Sequence, residues 1–232
     1  MDSQCDTIHM STLMTNKSAS LLAQTWSDTF KHDLQQLLTW RRDVRHFKTD
    51  PVASTLIDAC LNIANLSPSV GLSQPWRFVL VESPSLRDAV ENNFKTCFEN
   101  SLNGYEGEKR QKYASLKLAG LKEAPVHLAV LCAENTPDGH GLGRATMPEM
   151  LRYSVVCAVH TLWLYARSQG LGVGWVSILD PEQILNIISA PEGCTLVAYL
   201  CMGWPQDHQT TPELERTGWE KRENVSQKVW RV

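Results

Sequence analysis

Arg41, Arg42 and Arg45 stand within five positions of the segment WRRDVRHF, residues 40–47, with one carboxylate, Asp43, among them. Guanidinium groups pair with phosphate or carboxylate oxygens as planar forks, so three together describe a grip on an anion. The same three at a helix end would also favour its dipole, with Asp43 balancing them by pairing with Arg42 or Arg45. The residues alone allow either. A carboxylate inside an anion grip repels the ligand, so its presence needs a reason.

Two glycine-rich stretches invite a nucleotide site. GLGVG, with Gly170, Gly172 and Gly174, follows a helical pattern and precedes a strand pattern. The dinucleotide fingerprint has the opposite order, because the N-terminus of the helix after the strand holds the pyrophosphate. That excludes a Rossmann site and leaves backbone against which a ligand can lie. GHGLG, around Gly141, reads as a surface loop. SPSVGLSQPWRF, residues 67–78, gathers hydroxyls, two prolines and Trp76 in one turn, where Trp76 also serves to anchor the following strand. The seven cysteines are scattered, form no C-x-x-C pair and lie mostly in apolar runs; no histidine pair has metal-ligand spacing. They read as reduced, buried small hydrophobes in a reducing compartment, and no metal site is expected.

Several elements must position these residues. SDTFKHDLQQLLTW predicts a first helix capped by Ser27 or Asp28, with Phe30, Leu34, Leu37 and Leu38 at helical spacing, running into the arginines. A second helix is predicted from Ala53 to Ala64, and WRFVLVE as a strand. Ser85 to Leu121 reads as polar helix broken at NGYEGEK, a surface excursion or lid. APVHLAVLCAE is a buried strand. Thr146 is a candidate cap and Pro148 a first-turn residue for a long helix from Glu149 to Ser168, apolar on nearly every face and ended by Gly170. VGWVSIL and CTLVAYLCMGW are two more strands, separated by a short helix starting at DPEQIL; the tail is irregular and charged. Without strict βαβ alternation, this mixture predicts an α+β sandwich around a central mixed or antiparallel sheet.

A hydrophobic fraction of 43%, a charged fraction of 20% and a net charge of −3 over 232 residues describe a globular domain and argue against nucleic-acid binding. No apolar run is long enough to span a membrane, and the start has no signal-peptide pattern. Residues 1–24 are expected to form a flexible extension ahead of a single domain over 25–232, in the cytoplasm.

Together, RR-x-x-R-x-F, P-S-x-x-x-x-Q-P-W and GLG-x-G after a long helix resemble the nitroreductase-like flavoproteins. WRRDVRHF, SPSVGLSQPWRFV, LRYSVVCAVHTLWLYARSQGLGVGWVSILDP and PELERTGWEKR are more similar to one branch, the 5,6-dimethylbenzimidazole synthases. The resemblance runs from the first helix to the tail and leaves out the N-terminal extension. It implies an α+β homodimer with the long helix at the interface and flavin mononucleotide (FMN) bound between subunits. It also implies oxygen-dependent fragmentation of reduced FMN to 5,6-dimethylbenzimidazole, the lower ligand of vitamin B12, with release of erythrose 4-phosphate. NAD(P)H would enter only indirectly, through a separate flavin reductase.

The resemblance assigns Arg41, Arg42 and Arg45 to the flavin phosphate and ring edge. It places Pro68 and Ser69 on a loop that reaches the partner's flavin, Gly174 at the flavin's reactive face and Arg222 at a further phosphate contact. Leu72 stands where ordinary nitroreductases often carry asparagine, so one polar contact to the ring should be missing. Asp43 stands where flavin reductases commonly have a neutral residue, and it becomes the base that cleaves the ribityl chain. Ser177 would hydrogen-bond the flavin N5 or a peroxide intermediate, or else simply bond within its own sheet. The alternatives are an NAD(P)H-dependent nitroreductase or flavin reductase that keeps its FMN, and a flavin-binding module without turnover.

Overall fold

The computed structural model describes residues 25–116 and 120–232. The expected extension over 1–24 lies outside them. Packing divides the chain into a unit up to Gln36 and a unit from Leu37 to Val232. The first helix, α1 (Asp28–Trp40), opens with the Phe30 N–H donating to the Ser27 hydroxyl at 3.1 Å, so Ser27 rather than Asp28 caps it.

The larger unit is built on four antiparallel strands in the order β1-β2-β4-β3, with β1 at Trp76–Leu80, β2 at Val126–Ala133, β3 at Gly172–Val176 and β4 at Cys194–Gly203. β2 sits inside the sheet and its residues Val126 to Cys132 are all buried, which is why its sequence is apolar at every position but His127. The long helix α5 (Met150–Ser168) covers one face: Leu151, Val155, Ala158, Val159 and Leu162 pack with Leu128, Val130 and Leu200. α2 (Ser54–Ala64) lies beside α5, adding Cys60 and Ala64. The other face buries Phe47, Val81, Val90, Leu131, Ile184 and Tyr199, with α3 (Pro84–Leu102) and α6 (Pro181–Ile187) contributing. This is the expected α+β sandwich, with an antiparallel sheet.

Several expectations shift in detail. Thr146 does not cap α5 and Pro148 does not enter its first turn: both precede Met150, in a turn-rich stretch where the Arg144 guanidinium donates to the Thr136 carbonyl at 2.7 Å. α5 is buried on one face only; Tyr153, Val156, Cys157 and His160 are exposed on the other. Gly170, at φ +85°, ends it in the left-handed conformation glycine adopts freely. β3 stops at Val176, short of the expected VGWVSIL strand, because the chain must bend before Asp180 caps α6 by accepting from the Glu182 and Gln183 N–H groups. The polar excursion breaks where expected, between α3 and α4 (Gly107–Ser115). The tail holds a short α-helix, α7 (Glu213–Arg216), and a 3-10 turn at Val225–Lys228.

Cys60, Cys132 and Cys201 are buried, and loss of solvent pushes the Cys60 thiol up to about 11 and Cys132 up to about 12. Such thiols act as small apolar groups. Cys157 is exposed. Among the described residues no group of side chains is arranged to hold a metal ion, and no helix is long and apolar enough to cross a membrane.

Candidate active site

After Trp40 the chain runs extended beside β3. The Val44 N–H donates to the Val173 carbonyl at 3.0 Å, in a parallel bridge between Asp43 and Val173. Phe47, fully buried, bridges to Pro205 and fixes the other end of the segment. The crossing is so close that a Cβ on Gly174 would overlap the Val44 carbonyl oxygen. GLGVG reads as backbone against which a ligand can lie; what Gly174 meets within this chain is the backbone of Val44.

Asp43 is held at both oxygens. Its Oδ1 accepts from the Trp175 N–H at 2.9 Å and its Oδ2 from the Arg45 Nε at 2.8 Å. The pairing left open between Arg42 and Arg45 is thus with Arg45. Arg42 instead donates from Nε to the Thr210 carbonyl at 2.6 Å and from Nη1 to the Arg41 carbonyl at 2.5 Å, which fastens the tail to the arginine segment. Arg41 lies 5.0 Å from the centre of the Trp163 ring, and its Nε is buried without a hydrogen-bond partner among the described residues. Burial, then the nearby Arg222, lower the Arg41 pKa, with Asp43 opposing. Burial, then Arg41 and Arg222, lower that of Arg42, with Glu215 opposing. Arg41, Arg42 and Arg222 are thus close enough for like charges to be felt, on top of the larger effect of burial.

These groups line a recess of about 150 Å³: Arg41, Arg42, Asp43 and Arg45 on one side, and Pro212, Glu213, Leu214 and Arg222 of the tail on the other. Five predicted residues thus meet at the recess or its wall: Arg41, Arg42, Asp43, Arg45 and Arg222. Ser177 does not line it. It is exposed, just beyond β3 and two residues after Trp175, which goes against the alternative of a serine bonded inside its own sheet.

Pro68 and Ser69 lie elsewhere. Their loop rests on α5, with the Val70 N–H donating to the Ser154 hydroxyl at 3.0 Å and Ser67 to Thr161 at 2.8 Å. It leads into β1, at the opposite edge of the sheet from β3, so one chain does not bring Ser69 to the arginines. Ser69 Oγ accepts from the Gln74 N–H at 3.1 Å. Leu72 in this loop has φ +56° and is 77% exposed. Asparagine takes that left-handed conformation at lower cost, so the leucine is strained as well as solvated.

Sequence reasoning missed Trp175, whose backbone N–H holds the carboxylate, and Thr210, whose carbonyl holds Arg42. Both act through main-chain atoms that every residue carries, so residue type offered no signal. Trp163 carried one, as a large aromatic on the helix that ends at GLGVG.

Residues 38–204 match the nitroreductase family. The chain is 51% identical to a 5,6-dimethylbenzimidazole synthase of Rhodospirillum rubrum, over 84% of this chain and 92% of that one. It is 43% identical to one of Rhodobacter capsulatus, over 84% and 95%. Among solved structures it is similar to an oxidised iodotyrosine deiodinase bound to FMN and 3-iodo-L-tyrosine, with a TM-score of 0.65, 26% identity and coverage of 76% and 91%. A BluB-like flavoprotein from Clostridium difficile shares the fold, with a TM-score of 0.64, 18% identity and coverage of 86% and 98%. With its arginine segment, its GLGVG crossing and these relatives, the chain belongs to the nitroreductase family, in the branch of the 5,6-dimethylbenzimidazole synthases.

Proposed function

We propose that the protein is a 5,6-dimethylbenzimidazole synthase that consumes reduced FMN and oxygen in the cytoplasm and releases erythrose 4-phosphate. One observation carries this beyond likeness: a carboxylate held at both oxygens, Asp43, is built into a recess lined by four arginines, with the tail's Glu213 on the opposite side. The buried Arg41 Nε, without a hydrogen-bond partner among the described residues, and the proximity of Arg41, Arg42 and Arg222 fit a phosphate monoester, which would supply acceptors and negative charge.

Arg41 and Arg222 would hold the phosphate, while Arg42 fastens the tail that carries Arg222 and Arg45 fixes Asp43. Reduced flavin supplies the electrons that oxygen takes up. Each Asp43 oxygen accepts one hydrogen bond, from the Trp175 N–H and from Arg45, and a carboxylate oxygen has a second lone pair that would accept a proton from a ribityl C–H or O–H. Ser177 would donate a hydrogen bond toward the ring from beyond β3.

A recess of about 150 Å³ is small beside the roughly 300–1,000 Å³ of a usual ligand pocket. It suits a phosphate-sized group, and the rest of a flavin needs walls from elsewhere. A homodimer supplies them: the Pro68–Ser69 loop of one subunit would reach the arginine segment of the other, across the exposed faces of paired α5 helices. NAD(P)H would act through a separate flavin reductase.

The test is chromatography of an aerobic mixture of protein and reduced FMN. Loss of FMN with appearance of 5,6-dimethylbenzimidazole is expected. Intact FMN with hydrogen peroxide would make the protein a flavin reductase or nitroreductase, and bound, unchanged FMN would make it a binding module.

A further inference from the structure

The polar excursion carries an aromatic column that the chemistry above does not use. Phe98 on α3 stacks on Phe94 at 5.9 Å and on Tyr113 of α4 at 5.1 Å, and Tyr105 lies 4.7 Å from Tyr113. The tail closes the column. Trp219 meets Tyr105 edge-on at 5.8 Å and lies 6.1 Å from Tyr113. The Lys109 ammonium stands over both the Tyr105 ring, at 5.7 Å, and the Trp219 ring, at 5.6 Å. The Lys112 ammonium donates to the Gly218 carbonyl. Ring–ring and cation–ring contacts are each attractive, so these together with the Lys112 bond attach the tail to α4 at several points.

The attachment lies between two lining residues of the recess. Leu214 lines it, the chain turns at Gly218 (φ +69°), Trp219 seats in the column, and Arg222 lines the recess again. The Trp219 N–H donates back to the Leu214 carbonyl at 2.8 Å, which closes the turn. Arg222 itself is exposed, so the path of its backbone decides where its guanidinium reaches.

We infer that Trp219 is a positioning residue: seated in the column of Tyr105 and Tyr113, it holds Arg222 at the anion recess and so ties phosphate recognition to the excursion. This rests on the phosphate reading of the recess given above.

FMN and riboflavin differ only in the phosphate, so the ratio of their dissociation constants isolates it. In Trp219→Ala, FMN affinity should fall about tenfold or more, the scale of one charge-assisted contact, while riboflavin affinity changes less than about twofold. Arg222→Ala should do the same, the double variant should be little worse than either single one, and Trp219→Phe should restore the ratio. If Trp219→Ala weakens both flavins by the same factor, Trp219 is only a packing residue and the inference is overturned. If the unaltered protein itself shows no preference for FMN, the recess is not a phosphate site, and the inference falls with that reading.

Discussion

The carboxylate of Asp43 accepts a hydrogen bond from the backbone N–H of Trp175 at 2.9 Å, across 132 positions of sequence. This contact, with the Arg45 bond at 2.8 Å, answers why an acid stands among arginines. The acid pins the arginine segment to β3 and stays at the wall of the recess, where a base would be needed.

Asp43→Asn separates these two roles. The amide oxygen can still accept from Trp175, while the charge-assisted bond to Arg45 is lost at a cost of about 1 kcal/mol in this half-buried position. FMN should still bind, since a negative charge beside the phosphate has gone. Product formation should fall by about 100-fold or more, with peroxide appearing instead. Dimethylbenzimidazole made at the unaltered rate would reduce Asp43 to a fastener.

Gly174→Ala should be among the most damaging single-methyl additions. Its Cβ meets backbone at Val44, which cannot rotate away as a flexible side chain would. Overpacking of this kind costs about 1–3 kcal/mol, and displacing Val44 also moves Asp43 and Arg45. A lowered urea midpoint together with weakened FMN binding is the expected result; Val44→Ala should not relieve it, because the clash is with the carbonyl.

Val156→Arg tests the dimer. Val156 is 39% exposed on the free face of α5 beside Tyr153, at 51%. A charge buried between two copies of this face has no partner, so light scattering should show monomer. FMN binding should weaken in step, because the Ser69 loop would no longer reach its arginines. A monomer that still binds FMN tightly would place the whole flavin site within one chain.

His127 sets an acid limit. It is a buried residue of β2, its Nδ1 3.0 Å from the hydroxyl of Tyr199 on β4, and burial followed by Arg87 depresses its pKa to about 4. Between about pH 6.5 and 4 the unfolded chain binds this proton and the folded protein does not, so stability falls as pH falls through that window. The full contribution is about 3 kcal/mol, present above pH 6.5 and lost by pH 4. Urea midpoints measured across the window should fall more steeply for the unaltered protein than for His127→Gln, which has no titrating group.

What can be read along the chain is what neighbouring residues decide. The Ser27 cap, the apolar run of β2, the break between α3 and α4 and the Asp180 cap each follow from residue types within a few positions, where backbone propensity and burial act locally. The arginine cluster and its odd acid were visible for the same reason, and family likeness assigned their ligand.

The remainder depended on distance. Only tertiary packing brings Trp175 to Asp43, closes Gly174 on Val44 and returns Arg222 to the recess after the turn at Trp219. Only the strand order separates the Ser69 loop from the arginines. Helix and strand preferences are carried by adjacent side chains. Strand order and the partners of main-chain groups are set by how whole faces bury one another, and no short stretch of sequence contains both halves of such a contact.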